Sequence, residues 1–539
     1  MGTHMTKTER NLVTLFHQTA SQYPEKVAIA RGDDTISYAA LERRAALLAG
    51  VINRSVGSGV RVAVFADKSF GCYIGILAIL YSGNTYVPVS KVYPAERNAA
   101  ILSAAGVEAI IYEPSQFEGV AAILSKTDKT VIPLPVARHP ATDLKGDDVG
   151  AEPDISTFLN RKLADIPAYV LFTSGSTGRP KGVPISHANV LHYIDVVAER
   201  YTFSDADVFT HNFELTFDLS VFDLFVPWRH GAHFCVPSFI DIASPHRYLT
   251  KHKVTVWFSV PSVITILRHN GLLGKGKFPN LRFSLFCGEA LSWDAALAWA
   301  EAAPNSVVEN LYGPTELTIS CFVYEVSPRV VLNDEQAKAT VPIGQIHRGH
   351  RYLLIDESGN PVGKGQEGEL CVSGKQKFAG YLNEPEKTKA AHVLWAHENG
   401  ELMLYYRTGD LVREDDDGIL QYIGRVDHQI KINGFRVELE EIETAIYKIT
   451  GAFHVVVRSV RSINENIGGI PATLVAFISG APGNEDDLKR QLREILPHYM
   501  VPDEIVWITS AFPVNQNGKV DLGALLRLSS VAAHAERHA

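Results

Sequence analysis

The sequence predicts an α/β fold: a large N-terminal domain of mixed sheets and helices, then a small α+β domain at the C-terminus. Three observations predict it. Short apolar runs alternate with helix-like stretches through the first four hundred residues, as strands joined by crossover helices do in largely parallel sheet. The chain has 539 residues, and single hydrophobic cores stop growing at roughly 250–300. Near residues 424–434, charged and glycine-containing sequence separates two different apolar patterns.

Taken in order, Val62-Ala63-Val64-Phe65-Ala66 reads as a buried strand, 73–81 as a helix and 109–112 as a further strand. Residues 142–160 are polar and acidic and are expected to form a surface excursion. The strand Ala168-Tyr169-Val170-Leu171-Phe172 follows. Past residue 434, 438–449 reads as helix, 453–460 and 473–478 as strands, and 485–496 as helix. That makes a unit of about a hundred residues, a common domain size. The last twenty residues read as helix or frayed tail. No repeat occurs at solenoid periods. The domains are therefore expected at 6–426 and 427–539. The opening Met1-Gly2-Thr3-His4-Met5 is expected to be a vector-derived scar outside the fold.

Composition narrows the function classes. With 46% hydrophobic and 21% charged residues, the chain matches ordinary globular proteins. Its net charge of −9 argues against a general nucleic-acid binder, which carries a basic stripe. The five cysteines, Cys72, Cys235, Cys287, Cys321 and Cys371, are scattered and form no CxxC pair. Neither a disulfide framework nor a zinc site is expected, and buried thiols in a reducing cytoplasm are. No apolar run approaches the ~18 residues of a membrane span, and no secretory leader is read. No membrane or nucleic-acid partner is expected.

The strand 168–172 runs into Thr173-Ser174-Gly175-Ser176-Thr177-Gly178-Arg179-Pro180-Lys181-Gly182. Small residues let backbone approach an anion closely, successive N–H groups and hydroxyls supply donors, and Lys181 supplies charge. A polyphosphate suits such a loop. It is not the GxxxxGK[ST] pattern, because Lys181 follows a proline and precedes Gly182. Further downstream stand Asn310-Leu311-Tyr312-Gly313-Pro314-Thr315-Glu316, Gly368-Glu369-Leu370 and Tyr406-Arg407-Thr408-Gly409-Asp410-Leu411. After them come Gly424-Arg425-Val426-Asp427-His428-Gln429-Ile430-Lys431 and Asn517-Gly518-Lys519-Val520-Asp521. In order and spacing these six segments resemble the adenylate-forming enzymes: acyl-CoA synthetases, luciferases and the adenylation domains of nonribosomal peptide synthetases. The likeness covers almost the entire chain.

The resemblance implies a large adenylate-forming domain, a small mobile lid, ATP as substrate and Mg²⁺ as cofactor. Thr173, Ser174, Gly175, Ser176, Thr177 and Lys181 would cradle phosphates. Asn310, Tyr312, Gly313 and Thr315 would line the nucleotide site, with Tyr312 stacking on adenine. Glu316 resembles the magnesium ligand, in keeping with the preference of Mg²⁺ for oxygen ligands shared with phosphates. Asp410 would grip the ribose hydroxyls, with Tyr422 and Arg425 as further nucleotide contacts. Lys519 resembles the mobile catalytic lysine that stabilises charge when a carboxylate attacks the α-phosphate. Asp427 matches the hinge about which the small domain rotates between two half-reactions. One closes Lys519 onto the site; the other presents the stretch around 431–434 to an incoming thiol.

Phe217-Asp218-Leu219-Ser220-Val221-Phe222 narrows the acid. A carboxylate in an apolar segment is costly unless paired, which supports a cationic partner, although Asp218 could instead cap a helix. Amino-acid-activating members carry such an Asp against the substrate α-ammonium. On the same resemblance, Leu219, Phe222, Ser259, Leu285, Cys287, Leu311, Ile319 and Ser320 complete the side-chain pocket. None is charged, so a small or medium neutral amino acid is expected: glycine, alanine, serine, cysteine or proline. One methylene changes binding by only about 1–3 kcal/mol in such pockets, so these are not separated.

The family often has Ala-Arg-Gly-Tyr where this chain has Phe378-Ala379-Gly380-Tyr381, and Arg where Asn433 stands. Both departures bear on the thiol-dependent step. The expected activity is amino-acid activation and loading of a separate phosphopantetheinylated carrier protein by a free-standing enzyme. The alternative is an acyl-CoA synthetase acting on a non-amino acid, against which Asp218 argues.

Overall fold

The computed structural model describes residues 9–136, 155–175, 180–327, 339–397, 399–427, 429–432, 434–460, 473–510, 512–513 and 520–529. Two large sheets dominate. In the six-stranded sheet, Ile132–Pro135, Ala109–Tyr112, Arg61–Phe65, Thr85–Val89 and Pro167–Thr173 are parallel neighbours, and Lys181–Ser186 closes the edge antiparallel. The nine-stranded sheet has a parallel centre of Val208–Thr210, Val256–Ser259, Phe283–Phe286 and Val307–Tyr312.

Helix Phe70–Tyr81 explains the uniformly apolar stretch in the sequence. Ser69 caps it, accepting from the Cys72 N–H at 3.2 Å, which starts the helix earlier than residue 73. Gly75 lies against Ile111 and Val64 of the six-stranded sheet. Tyr73 meets Phe234 of the other sheet edge-on, with centroids 5.2 Å apart. A helix covered on both faces has no polar side to show.

A five-stranded antiparallel sheet follows, built from His350–Ile355, Glu367–Gly374, His392–Ala396, Leu402–Glu414 and Leu420–Arg425. Next comes the hairpin Gln429–Ile432 with Phe435–Glu438. The last sheet joins Val455–Val460, Thr473–Ser479 and Glu504–Ile508. Helices Leu439–Thr450 and Glu485–Ile495 supply Ile442, Ile446, Leu488 and Leu492 to a hydrophobic cluster with Val457, Leu474 and Ala476 from this sheet. The hairpin and the Glu504–Ile508 strand went unforeseen. The expected strand at 453 starts at Val455, and Phe453 is exposed. Part of the expected surface excursion lies outside the described residues, but Ser156–Leu159 is helical and buries Phe158 beside Tyr81. Helix Leu522–Leu526 stands within the tail, and 530–539 lie outside the description. All five cysteines are buried and free. Among the described residues no helix is long and apolar enough to cross a membrane.

The C-terminal elements touch the first sheet region through charge. Arg97, on helix Ala95–Ala105, donates to Glu441, on helix Leu439–Thr450, at 2.6 Å. Both are buried, at 8% and 3% exposure. Removing one partner of such a pair strands the other charge, at a cost of about 3–5 kcal/mol, while an apolar replacement of both is often near neutral. Glu441→Ala is therefore expected to lower stability to urea by about 3 kcal/mol, and Arg97→Met with Glu441→Leu by much less. Equal losses in the single and double variants would contradict the coupling.

Candidate active site

The strands Pro167–Thr173, Phe283–Phe286 and Val307–Tyr312 end around one cavity. Open α/β sheets bind ligands at the carboxyl ends of their strands. Thr173, Ser174, Cys287, Gly288, Tyr312, Gly313 and Thr315 line it, with Asp218 and Leu219 from the start of helix Leu219–His230. Asp410 and Arg425 come from the five-stranded sheet, and Gln429, Lys431, Gly434, Phe435 and Arg436 from the hairpin. Sequence-expected residues from six separate stretches thus meet.

The phosphate-loop candidates are described in part. Thr173 and Ser174 line the cavity and Gly175 is buried; Ser176 and Thr177 lie outside the described residues. The Thr173 hydroxyl is buried with no hydrogen-bond partner among the described residues, a donor left over for a guest. Ser174 is taken by the hairpin: its hydroxyl donates to the Arg436 carbonyl at 2.8 Å and accepts from the Glu438 N–H at 3.1 Å. Lys181 sits opposite Thr173 across the strand pair. Its Nζ is 5.1 Å from the Tyr381 ring centre and 4.0 Å from Glu438. Burial, then the Arg436 charge, pulls its pKa below the usual lysine value, with Glu316 and Glu438 opposing.

Tyr312 donates its hydroxyl to Asp410, which also accepts from Arg425 at 2.6 Å. Arg425 then reaches Asp427 through two bonds of 2.5 and 2.7 Å. Asn310 spends its amide on the carbonyls of Val341 and Pro342, leaving its own oxygen buried without a partner among the described residues. Gly313 must be glycine here, because a Cβ would stand 2.6 Å from Ser320 Cα. Tyr422 lies on the strand Leu420–Arg425 opposite Val412 and does not line the cavity.

Glu316 is fully buried. Arg436 donates to its two oxygens at 3.1 and 2.8 Å, and the Tyr381 hydroxyl adds a bond at 2.8 Å. Burial pushes this carboxyl up, but Arg436, Lys181 and Tyr381 outweigh it and hold the pKa at about 2. In this arrangement Arg436 is the cation that bonds to Glu316 directly, and Lys181 adds a second positive charge. The Glu316 carboxylate supplies oxygen donors of the kind a divalent ion takes, and here Arg436 engages both of them.

Asp218 stands at the N-cap position of its helix but makes no capping bond. Its carboxylate instead accepts from the Ile319 N–H at 3.2 Å. Burial raises its pKa to about 6; the Ile319 N–H and the Lys431 charge restrain the rise, and Glu316 adds to it. Helix capping therefore does not account for this buried acid.

Of the other pocket candidates, Leu219 and Cys287 line the cavity. Phe222 packs edge-on against Phe258 at 4.8 Å, and Ser259 accepts from the Trp257 indole at 2.9 Å. Those two, with Leu285, Leu311, Ile319 and Ser320, are buried and do not line it. Lys519 lies outside the described residues. Sequence reasoning missed Arg436, Tyr381 and Glu289, whose carboxylate accepts from the Gly434 N–H at 2.9 Å. An arginine inside the half-apolar run Phe435-Arg436-Val437 was the available signal, since a buried charge needs a partner.

The comparisons with known proteins agree with this geometry. The model of the family described as "AMP-binding enzyme" matches residues 16–382. The L-proline--[L-prolyl-carrier protein] ligase of Pseudomonas fluorescens is 33% identical over 523 residues, covering 95% of this chain and 98% of that protein. Malpinin synthetase of Mortierella alpina is 32% identical over 531 residues, which is 96% of this chain but only 7% of that relative's length. Among solved structures, the Vibrio cholerae adenylation domain AlmE in complex with glycyl-adenosine-5'-phosphate matches with a TM-score of 0.82 at 28% identity, covering 97% of this chain and 99% of that one. With a family model matched over most of its length, the chain belongs to the AMP-binding enzymes, the adenylate-forming family.

Proposed function

We propose that this enzyme condenses a small neutral amino acid with ATP to give aminoacyl-AMP and pyrophosphate. It then transfers the aminoacyl group to the phosphopantetheine thiol of a separate carrier protein. The observation that carries the reading is Asp218: a buried carboxylate at an open cavity, at a helix start yet unused as a cap. A substrate α-ammonium is the partner it lacks. The uncharged neighbours Leu219 and Cys287 favour glycine, alanine, serine, cysteine or proline. The prolyl ligase and the glycyl-adenylate complex among the relatives support small neutral substrates.

In the first step, a carboxylate oxygen of the amino acid attacks the ATP α-phosphorus, and the bond to the pyrophosphate oxygen breaks. Asp218 orients the ammonium. Thr173, Ser174 and Lys181 hold phosphate oxygens, Tyr312 stacks on the base, and Asp410 receives the ribose hydroxyls. Glu316 would hold Mg²⁺, which supplies positive charge beside the phosphates. Lys519 completes the charge stabilisation in a second arrangement of the 427–539 unit, hinged at Asp427. In the second step the carrier thiol sulfur, having lost its proton, attacks the acyl carbon, and AMP leaves with the bridging oxygen. Lys431 and Gly434 on the cavity wall support assigning the present arrangement to this step.

Amino-acid-dependent exchange of labelled pyrophosphate into ATP tests the reading across the twenty amino acids, β-alanine, D-alanine and some aryl and fatty acids. Strong exchange with one small neutral amino acid is expected; exchange with non-amino acids alone would refute it. The acid limb is a second expectation. Only ionised Asp218 attracts an ammonium, so kcat/KM for the amino acid should fall as pH drops through about 6. Asp218→Asn should raise the amino-acid KM and remove that limb. The sign for stability is opposite: a carboxyl raised in the fold disfavours the native state once ionised, by on the order of 2–3 kcal/mol. Asp218→Asn should therefore stabilise the free enzyme above pH 6. Lys519→Ala should slow adenylation by about 10²–10³ while thioester formation from supplied adenylate is largely kept. Equal loss in both steps would contradict the hinge.

A further inference from the structure

Between Tyr312 and Cys321 the chain makes a bend that its own residues disfavour. Thr318 and Ile319 are consecutive and β-branched, yet they hold φ of 57° and 72°. Left-handed backbone is an outlier for such residues and persists only where the surroundings fix it. The bend matters to the site because it aims the Ile319 N–H at Asp218.

One side chain supplies much of that fixing. Gln376 is fully buried just beyond the strand Glu367–Gly374. Its amide nitrogen lies 3.0 Å from the Leu317 carbonyl, 3.1 Å from that of Thr318 and 2.8 Å from that of Ser320. Its own backbone carbonyl accepts from the Thr318 hydroxyl at 2.6 Å. Three carbonyls of a bend with little regular pairing thus converge on one NH₂ group. Buried carbonyls need such donors, and the amide satisfies them only while the bend keeps this shape.

We propose that Gln376 is a positioning residue for amino-acid recognition: its amide clamps residues 317–320 in the left-handed bend that presents the Ile319 N–H to Asp218. This rests on the reading of Asp218 as the ammonium anchor. Gln376 touches neither substrate nor nucleotide; it acts through the bend.

Gln376→Met keeps length and volume and removes the donor. Pyrophosphate exchange would be measured with wild type and variant, titrating amino acid and ATP separately. The amino-acid KM should rise roughly 10–100-fold, as loss of buried hydrogen bonds does, with the ATP KM within about twofold. Adding Thr318→Gly, which takes positive φ without strain, should recover part of the amino-acid KM. Should Gln376→Met fail to fold, Gln376→Asn, whose shorter amide reaches the three carbonyls less well, should give a smaller rise of the same kind. An unchanged amino-acid KM, or both KM values rising together, overturns the clamp while leaving the amino-acid reading standing. Wild type without exchange for any amino acid overturns both.

Discussion

The ion pair of Arg436 with Glu316 is the constraint on which the described arrangement depends. Both groups are withdrawn from water, and neither can remain there alone without a large desolvation cost. Glu316 belongs to the turn Thr315–Leu317 after a strand of the nine-stranded sheet, and Arg436 to the hairpin strand Phe435–Glu438. The pair therefore ties the position of the hairpin to the shape of the cavity floor. Weaker contacts follow the same register: Ser174 with Arg436 and Glu438, Gly434 with Glu289, and Phe435 edge-on to Phe217 at 4.4 Å. These contacts need the backbone within bonding distance, and the ion pair keeps it there.

Three carboxylates at one cavity show how surroundings decide what a common group can do. Glu316, facing a guanidinium and an ammonium, is held ionised far below its ordinary range. Asp410 accepts from a phenol and an arginine. Asp218 accepts from the Ile319 N–H and the Thr315 hydroxyl, yet burial pushes it up towards neutrality. Asp218 lies beside the uncharged Leu219 and Cys287 on the cavity wall. Under the proposed function, affinity at that position would come from relieving a strained charge.

Much of the architecture was legible in the sequence because the governing signals were local. Apolar runs of strand length, the uniformly apolar helix at 73–81 and a glycine-rich strand end announce themselves within a few residues; the Ser69 cap that starts the helix at Phe70 was not read. The cavity's Thr173, Asp218, Tyr312 and Asp410 were legible through segments whose order mirrors the family. Arg436 and Gln376 were not, because neither has a local pattern: each is defined by a partner more than fifty residues away in sequence. The hairpin Gln429–Ile432 with Phe435–Glu438 was read as a charged separator for a related reason. Its charges look solvated in sequence, whereas Arg436 is buried against Glu316. Phe222 and Leu285 were expected to shape the pocket, but aromatic neighbours and the sheet core enclose them. Side-chain size does not say which wall a residue joins.

The same electrostatics bear on how two chemical steps could share one cavity. Glu316 is buried too deeply to stand without a cation. Under the proposed function it serves a magnesium ion while pyrophosphate is being released, and Arg436 afterwards. Both oxygens are engaged by Arg436 in the present arrangement, so the two cations compete for one carboxylate. On that reading the hairpin would dock most favourably once the metal had left, because only then would Arg436 find its partner free. Ser174 follows the same logic, since the hydroxyl available to a phosphate oxygen in one step is bonded to the hairpin backbone in the other. Under the proposed function, the order of the two steps would follow from this competition for charge and hydrogen-bond capacity.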